Sequence, residues 1–158
     1  MILSSIRKLI GAAAIAGIST TAIASQPFVF TAIPDEDETK LVERFQGVAD
    51  YLEEQLEVEV RYIPVKSYAA AVSAFRNNQV QLAWFGGLSG VQARRLVPGS
   101  EALAQGKEDE SFHTYFIANT DTGVEPVEEL SALEGKLGEL TFAFGSKGST
   151  SGRLMPEH

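Results

Sequence analysis

Cysteine is absent from this chain of 158 residues, which excludes disulfide bonds, thiolate metal sites and a cysteine-linked lipid anchor. Histidine is scarce, with two residues, so imidazole-based metal binding or acid–base chemistry has little to draw on. Basic residues number 13 against 21 acidic ones, and the formal net charge is −8. Bulk charge of this sign argues against nucleic acid and anionic lipid as partners. It is compatible with a small anion held locally by backbone dipoles.

Long apolar runs are also missing, apart from one near the N-terminus. Arg7 and Lys8 precede a short apolar stretch, and Ala22-Ile23-Ala24 matches the small-x-small pattern of a signal-peptide cleavage site. The stretch is short for a membrane span, which disfavours the alternative of an N-terminal anchor. We therefore predict a signal peptide at 1–24, cleaved near Ala24, and a protein exported to the periplasm.

Hydrophobic periodicity predicts strands that alternate with helices. The best-defined helix carries Leu41, Phe45 and Leu52 at a spacing that places them on one face. Short apolar runs bounded by turn residues predict strands at 28–33, 58–64, 80–85, 102–105, 113–119 and 140–144. Further helices are predicted after a cap at Ser67, at 88–96, at 127–133 and from 149–151 onward. This order predicts an α/β fold with a mainly parallel sheet flanked by helices.

Loops that follow parallel strands are the expected place for a ligand, because ligands bind beyond the carboxyl ends of such strands. Three predicted loops occupy that position, at 65–68, 85–89 and 145–151. A fourth, at 34–37, contains Asp35 and Glu36, which would repel an anion. We therefore expect this acidic loop at the rim of a pocket rather than within it.

Three consecutive hydroxyl residues, Ser149, Thr150 and Ser151, stand between Gly148 and Gly152. Hydroxyl groups at the start of a helix can share the oxygens of an anion with the backbone N–H groups there. The alternative is an ordinary helix cap with flexible neighbours, for which a single serine suffices. Three hydroxyls exceed that need, so the pattern favours anion binding without a metal or a nucleophile.

Other candidate ligand-binding residues have structural alternatives that the residues alone leave open. Tyr68 follows the cap Ser67, and its phenol can donate to an anion or pack against the sheet edge. Trp84 and Phe85 end a strand on opposite faces, so one is expected in the core and the other at the pocket. Gly86 lets a ligand approach the backbone closely or simply makes the turn.

The glycine-rich loop at 145–152 does not match the two enzymatic motifs that it most resembles. A P-loop requires Lys directly before the Ser or Thr that opens the helix, whereas Lys147 precedes a glycine. A nucleophile elbow requires a central serine, and the run from Gly148 to Gly152 has Thr150 there. His113 lies in a predicted strand, where a half-buried polar role is commoner than a general base.

Several motifs in combination resemble the phosphonate/phosphite-type substrate-binding proteins of ABC transporters. They are Ser67-Tyr68-Ala69-Ala70 with the run 75–80, the run 82–89 and Ser149-Thr150-Ser151-Gly152. The longer run 144–157 resembles the branch associated with selenate transport. The resemblance spans 28–157, and its motifs are specific in combination.

The resemblance implies a type II periplasmic binding protein with two lobes that close on a tetrahedral oxyanion. It implies a first α/β lobe at 25–116 and the start of a second lobe at 117–158, so that the chain is an N-terminal fragment. Tyr68 and the residues 149–151 would contact the oxyanion, together with Phe85 and Gly86. The family pattern with an organic arm has tyrosine, glycine and asparagine where this chain has Phe85, Gly86 and Gly87, which favours a small, bare oxyanion.

The resemblance also implies a non-enzymatic role with a membrane permease as partner, a monomeric full-length protein, and neither a metal nor a cofactor. A hydrolase or transferase using the Gly-Ser-Thr-Ser-Gly loop is the alternative from another class, and it would need a base near the loop. The ligand-binding domain of a sensor is a third. The sequence leaves phosphate, phosphite, phosphonate, sulfate and selenate open as ligands.

Overall fold

A computed structural model describes residues 26–158. Its regular core consists of three strands and three α-helices in strict alternation. They are β1 (Phe28–Ala32), α1 (Glu38–Leu56), β2 (Val60–Tyr62), α2 (Tyr68–Arg76), β3 (Leu82–Trp84) and α3 (Gly87–Leu96). The predicted signal peptide at 1–24 lies outside the described residues.

The three strands form one parallel sheet with the order β2-β1-β3. Strand β1 is central, with Phe30 paired to Tyr62 on one side and to Leu82 on the other. Parallel pairing requires a crossover between strands, and α1 and α2 provide the two crossovers. The predicted α/β architecture with a parallel sheet and flanking helices is therefore confirmed.

The core between the sheet and α1 is built on aromatic contacts. The rings of Phe30 and Phe45 meet edge to face at 6.0 Å, and those of Phe45 and Tyr62 stack at 5.0 Å. Leu41 and Ala49 are buried on the same face of the helix. The three- to four-residue spacing of apolar side chains thus produces the predicted amphipathic helix, because one stripe faces the sheet.

A side chain caps the N-terminus of each of the first two helices. The carboxylate of Asp37 accepts hydrogen bonds from the backbone N–H groups of Thr39 and Lys40 at the start of α1. The hydroxyl of Ser67 accepts from the N–H of Ala70 at 3.1 Å, which confirms the predicted cap of α2. Each cap satisfies backbone donors that have no partner within the helix.

The three later strand predictions, at 102–105, 113–119 and 140–144, are wrong for this structure. These segments are extended without ladder pairing, and short 3₁₀ turns at Lys107–Ser111, Thr120–Thr122 and Leu130–Leu133 separate them. Only the last of these overlaps the helix predicted at 127–133. A strand needs a neighbour for its N–H and C=O groups, and among the described residues no strand pairs with these segments. Nearly all residues at 101–147 are accordingly exposed.

The chain returns to the core in its last residues. A single π-helical turn, Thr150–Leu154, follows the cap Ser149 and leads into a 3₁₀ turn, Met155–Glu157. The helix predicted to start at 149–151 therefore begins there but is irregular. Arg153 anchors the turn, since its guanidinium pairs with Glu157 at 2.5 Å and lies 4.4 Å from the centre of the Phe144 ring.

None of the helices between residues 26 and 158 is long and apolar enough to cross a membrane. The division into a lobe at 25–116 and the start of another at 117–158 stays a prediction.

Candidate functional site

A cavity of about 540 Å³ opens at the carboxyl-terminal end of the sheet. The three loops expected to face a ligand all contribute to it. Every residue proposed from sequence as ligand-binding lines this cavity: Tyr68, Phe85, Gly86, Ser149, Thr150 and Ser151. The structure thus brings the six candidates together; their role in binding stays a proposal.

The glycine-rich loop is closed at its neck by two glycines. The N–H of Gly145 donates to the carbonyl oxygen of Gly152 at 2.6 Å. A Cβ atom at Gly145 would lie 2.8 Å from the Cα of Gly152, closer than packed atoms approach. Glycine at the neck therefore allows the loop to close on itself and to present residues 149–151 to the cavity.

Gly148 fits the loop against the start of α2. Its φ angle is +94°, a conformation that residues with a side chain rarely adopt. A Cβ atom there would lie 2.8 Å from the Cβ of Tyr68. The backbone of the loop is thus seated directly on Tyr68, and Gly148 satisfies both the conformational and the steric requirement.

Thr150 connects the loop to the start of α3. Its Oγ1 accepts a hydrogen bond from the backbone N–H of Leu88 at 3.0 Å. Gly86, which precedes α3, has no side chain to cap the helix, so Thr150 supplies the missing acceptor from a distant part of the chain. The hydroxyl proton of Thr150 is still free to donate, because acceptance uses only a lone pair of the oxygen.

The two serines of the loop differ in their hydrogen bonds. Ser149 caps the π-helical turn by accepting from the N–H of Gly152 at 3.1 Å. Ser151 forms no side-chain hydrogen bond with any residue of the described part of the chain, although it lines the cavity. Its hydroxyl is therefore available to a ligand in full.

Tyr68 is 8 % exposed and packs with Ile33 and Ala71, with the edge of its side chain at the cavity. Burial raises the pKa of its phenol, the hydroxyl of Ser149 lowers it by hydrogen bonding, and the charge of Asp35 raises it again. A phenol with a raised pKa stays protonated and remains a hydrogen-bond donor. Tyr68 thus packs against the end of the sheet and also lines the cavity; donation by its phenol to an anion stays a prediction.

The expected division of Trp84 and Phe85 between core and pocket is wrong, because both residues line the cavity and neither is fully buried. Phe85 is partly buried, meets Phe75 edge to face at 5.7 Å and packs against the Ile33–Tyr68 cluster. Trp84 is 43 % exposed. Both residues contribute apolar surface to the cavity.

We expected the whole acidic turn after β1 to lie at the rim of the cavity, and this expectation is wrong for one of its residues. Asp35 lines the cavity, whereas Glu36 turns away and pairs with Lys40 and Arg44. The reason is topological: Asp35 follows the central strand by three residues, and the carboxyl end of that strand lies beside both neighbouring loops. An acidic side chain therefore belongs to the cavity wall.

Arg94 also lines the cavity and was missed from the sequence. It is exposed, and within residues 26–158 its guanidinium has no ion-pair partner. The sequence signal that could have identified Arg94 is its helical spacing, because positions 87, 90, 91 and 94 share one face of α3. Three residues of the exposed segment, also missed, complete the wall: Gln105, Asp109 and Phe112.

The cavity offers little for acid–base or metal chemistry. His113, expected to be half-buried, is exposed beside Tyr115, because the strand predicted around it does not form. No histidine lines the cavity. Within the described part of the chain, no group of three or more His, Cys, Asp or Glu side chains is placed to hold a metal ion. The arrangement can donate several hydrogen bonds to one small anion.

Comparison with known proteins identifies the family of this chain. The model of the family described as "ABC transporter, phosphonate, periplasmic substrate-binding protein" matches residues 30–158. The chain belongs to this family. The match covers the whole described fold beyond the first residues of β1, including the glycine-rich loop. The family expected from the sequence motifs is therefore confirmed, although the finer resemblance to a selenate branch stays a prediction.

Two curated relatives carry names that state a ligand. The probable ABC transporter phosphite binding protein PhnD1 of Prochlorococcus marinus (strain MIT 9301) is 42 % identical over 95 % of this chain. The phosphonates-binding periplasmic protein of Escherichia coli (strain K12) is 30 % identical over 80 % of it. The alignments span 51 % and 37 % of those proteins, so this chain is about half the length of its relatives or less.

Solved structures show the same fold. PhnD1 from Prochlorococcus marinus, in complex with methylphosphonate, superimposes with a TM-score of 0.79 at 46 % identity, over 83 % of this chain and 48 % of that one. The binding-protein component of a phosphonate ABC transporter from Pseudomonas aeruginosa gives 0.62 at 21 % identity, over 84 % and 43 %. The predicted class, type II periplasmic binding protein, is thereby confirmed for the part of the fold present here.

Proposed function

We propose that this chain belongs to the extracytoplasmic substrate-binding component of an ABC importer that captures a small phosphorus oxyanion. The observation that carries the proposal is the convergence of Tyr68 and the three hydroxyl residues 149–151 on one cavity. These residues come from two loops about eighty positions apart, at the carboxyl end of a parallel sheet. Family membership supports the same reading.

The donors suit an oxyanion because none of them needs to change its protonation. Ser151 has a free hydroxyl, Thr150 keeps its proton while its oxygen caps α3, and the raised pKa of Tyr68 keeps the phenol neutral. Arg94 adds a positive charge to the cavity wall. Hydrogen bonds to a charged ligand contribute roughly 1.5–3 kcal/mol each, so a few such donors suffice for tight capture.

Aromatic residues of the cavity restrict the nature of the ligand. Trp84, Phe85 and Phe112 line the same cavity as the donors and give it an aromatic surface. Such a surface suits an oxyanion with a hydrogen or a short alkyl group on one face. The names of the relatives, a phosphite-binding protein and a structure with methylphosphonate, support this class for the present chain.

The proposed mechanism is capture and delivery without chemistry. The alternative of a hydrolase or transferase lacks a histidine base beside the loop. We therefore propose a non-enzymatic periplasmic protein that binds its ligand between two lobes and passes it to a membrane permease, as a monomer when complete. The relatives' greater length leaves room for the second lobe.

Titration calorimetry on the complete protein tests the proposal. We expect phosphite and methylphosphonate to bind with release of heat and a single site. Replacing the donor in Tyr68→Phe should weaken binding about ten- to a hundredfold, the equivalent of one hydrogen bond to a charged group. Ser73→Ala, an exposed position on the same helix, is the control and should bind as the wild type does. Failure of both ligands to bind would contradict the proposal.

A further inference from the structure

We propose that Asp35 selects oxyanions that carry a proton, by accepting a hydrogen bond from the ligand's own hydroxyl group. This role rests on the proposed function and goes beyond it, because it names which oxyanions the site takes. Asp35 lines the same cavity as Tyr68 and the hydroxyl cluster 149–151. The hydroxyl groups of the cavity can donate, whereas an ionised carboxylate such as that of Asp35 can only accept.

Neighbouring acids of the same turn are engaged elsewhere, and Asp35 is not. Glu36 pairs with Lys40 and Arg44, Asp37 caps α1, and Glu38 pairs with Lys66. The carboxylate of Asp35 forms neither an ion pair nor a side-chain hydrogen bond with any residue between 26 and 158. Asp35 is therefore an exposed acid of the cavity wall whose carboxylate has no structural partner among the described residues.

The second acid of the cavity does not share this role. The Oδ2 of Asp109 accepts a hydrogen bond from the backbone N–H of Gly106 at 2.9 Å, which holds it in its own turn. Asp35 also lies close enough to Tyr68 for its charge to raise the pKa of that phenol. The acceptor and one of the proposed donors are therefore near one another, as binding of one small ligand requires.

The chemistry of the carboxylate makes it selective. An ionised carboxylate only accepts hydrogen bonds, so a ligand that places a P–OH group there gains a strong, charge-assisted bond. A ligand without a proton, such as sulfate or selenate, places two negative oxygens against each other and is repelled. Specificity would come as much from this repulsion as from attraction to the preferred ligand.

Asp35→Asn in the complete protein tests the role, with binding of methylphosphonate and of sulfate measured by calorimetry in a mildly acidic buffer. Under those conditions the phosphonate keeps one proton and sulfate keeps none. The variant should fold, because the described structure holds Asp35 only through its backbone N–H, which donates to the carbonyl of Ile33. The matched control is Glu36→Gln, which removes the same charge one residue away, outside the cavity.

We expect the wild type to prefer methylphosphonate, and Asp35→Asn to reduce the ratio of the two affinities at least about tenfold, since an amide can donate to sulfate. Glu36→Gln should leave the ratio unchanged. An unchanged ratio in Asp35→Asn, with methylphosphonate still bound, would overturn the role of Asp35 and leave the proposed function standing. An equal effect in Glu36→Gln would overturn it too, since the selection would then be a general field effect. Absence of binding in the wild type would contradict both.

Discussion

Thr150 caps α3 from a distant part of the chain: its Oγ1 accepts a hydrogen bond at 3.0 Å from the backbone N–H of Leu88, 62 residues earlier. The bond fastens the glycine-rich loop to the start of α3 and satisfies a donor that Gly86 cannot. Thr150 therefore has a structural role besides its proposed contact with the ligand.

Thr150→Val should lower the free energy of unfolding by about 1 kcal/mol, because it removes the acceptor while keeping the shape of the side chain. Thr150→Ser retains the oxygen and should remain within a few tenths of a kcal/mol of the wild type. Chemical denaturation of the complete protein without ligand measures both. Equal stability of the valine variant and the wild type would show that the cap contributes nothing in solution.

Ser151→Ala separates ligand binding from stability more cleanly than a change at Thr150. The Ser151 hydroxyl has no partner among the residues that the structure describes, so its loss should leave the free energy of unfolding unchanged. Binding of phosphite or methylphosphonate should weaken about ten- to a hundredfold if the hydroxyl donates to the anion. Calorimetry and denaturation on the same preparation provide the two readouts, and Ser73→Ala is the control. Unchanged affinity would remove Ser151 from the proposed site.

Gly148→Ala should disturb the loop, because the new Cβ would meet the Cβ of Tyr68 at 2.8 Å and the backbone has a φ angle of +94°. We expect a loss of about 1–3 kcal/mol in stability and weaker binding, since residues 149–151 would move away from Tyr68. Gly138→Ala is the matched control, because open space surrounds its Cβ position and its φ angle is ordinary. Comparable melting temperatures for the two variants would contradict the seating of the loop on Tyr68.

Local signals predicted the three strands and three helices of the core correctly. The stripe of Leu41 and Phe45 and the cap at Ser67 depend on residues three or four positions apart, which a sequence displays directly. The strands at 102–105, 113–119 and 140–144 failed because a strand depends on a partner, and an apolar run does not reveal whether a partner is present.

The sequence predicted which hydroxyl-bearing residues line the cavity but missed the charged residues Asp35 and Arg94. Tyr68 follows β2, so topology placed it at the carboxyl edge of the sheet. The hydroxyl cluster lies there although the strand predicted before it, at 140–144, does not form. Asp35 was assigned to the rim because its sign opposes an anion, although position after the central strand places it in the wall. The contact between Thr150 and Leu88 joins residues 62 positions apart, and no local pattern predicts it.

The phenol of Tyr68 should lose its proton at a higher pH than a free tyrosine does, and its ionisation should lower the stability of the fold at high pH. Burial is the largest cause of its raised pKa, so the folded protein holds the phenolic proton more tightly than the unfolded chain. The associated stability is fully present below the unfolded pKa, near 10.0, and is lost as the pH rises through the raised folded pKa.

Tyrosinate absorbance during a pH titration measures the ionisation of Tyr68. The difference between the wild type and Tyr68→Phe isolates it, because Tyr62 also has a raised pKa. Asp35→Asn should move the Tyr68 transition to lower pH, since the negative charge of Asp35 contributes to the shift. A difference spectrum with its midpoint at or below pH 10.0 would contradict the buried, protonated phenol on which the proposed binding depends.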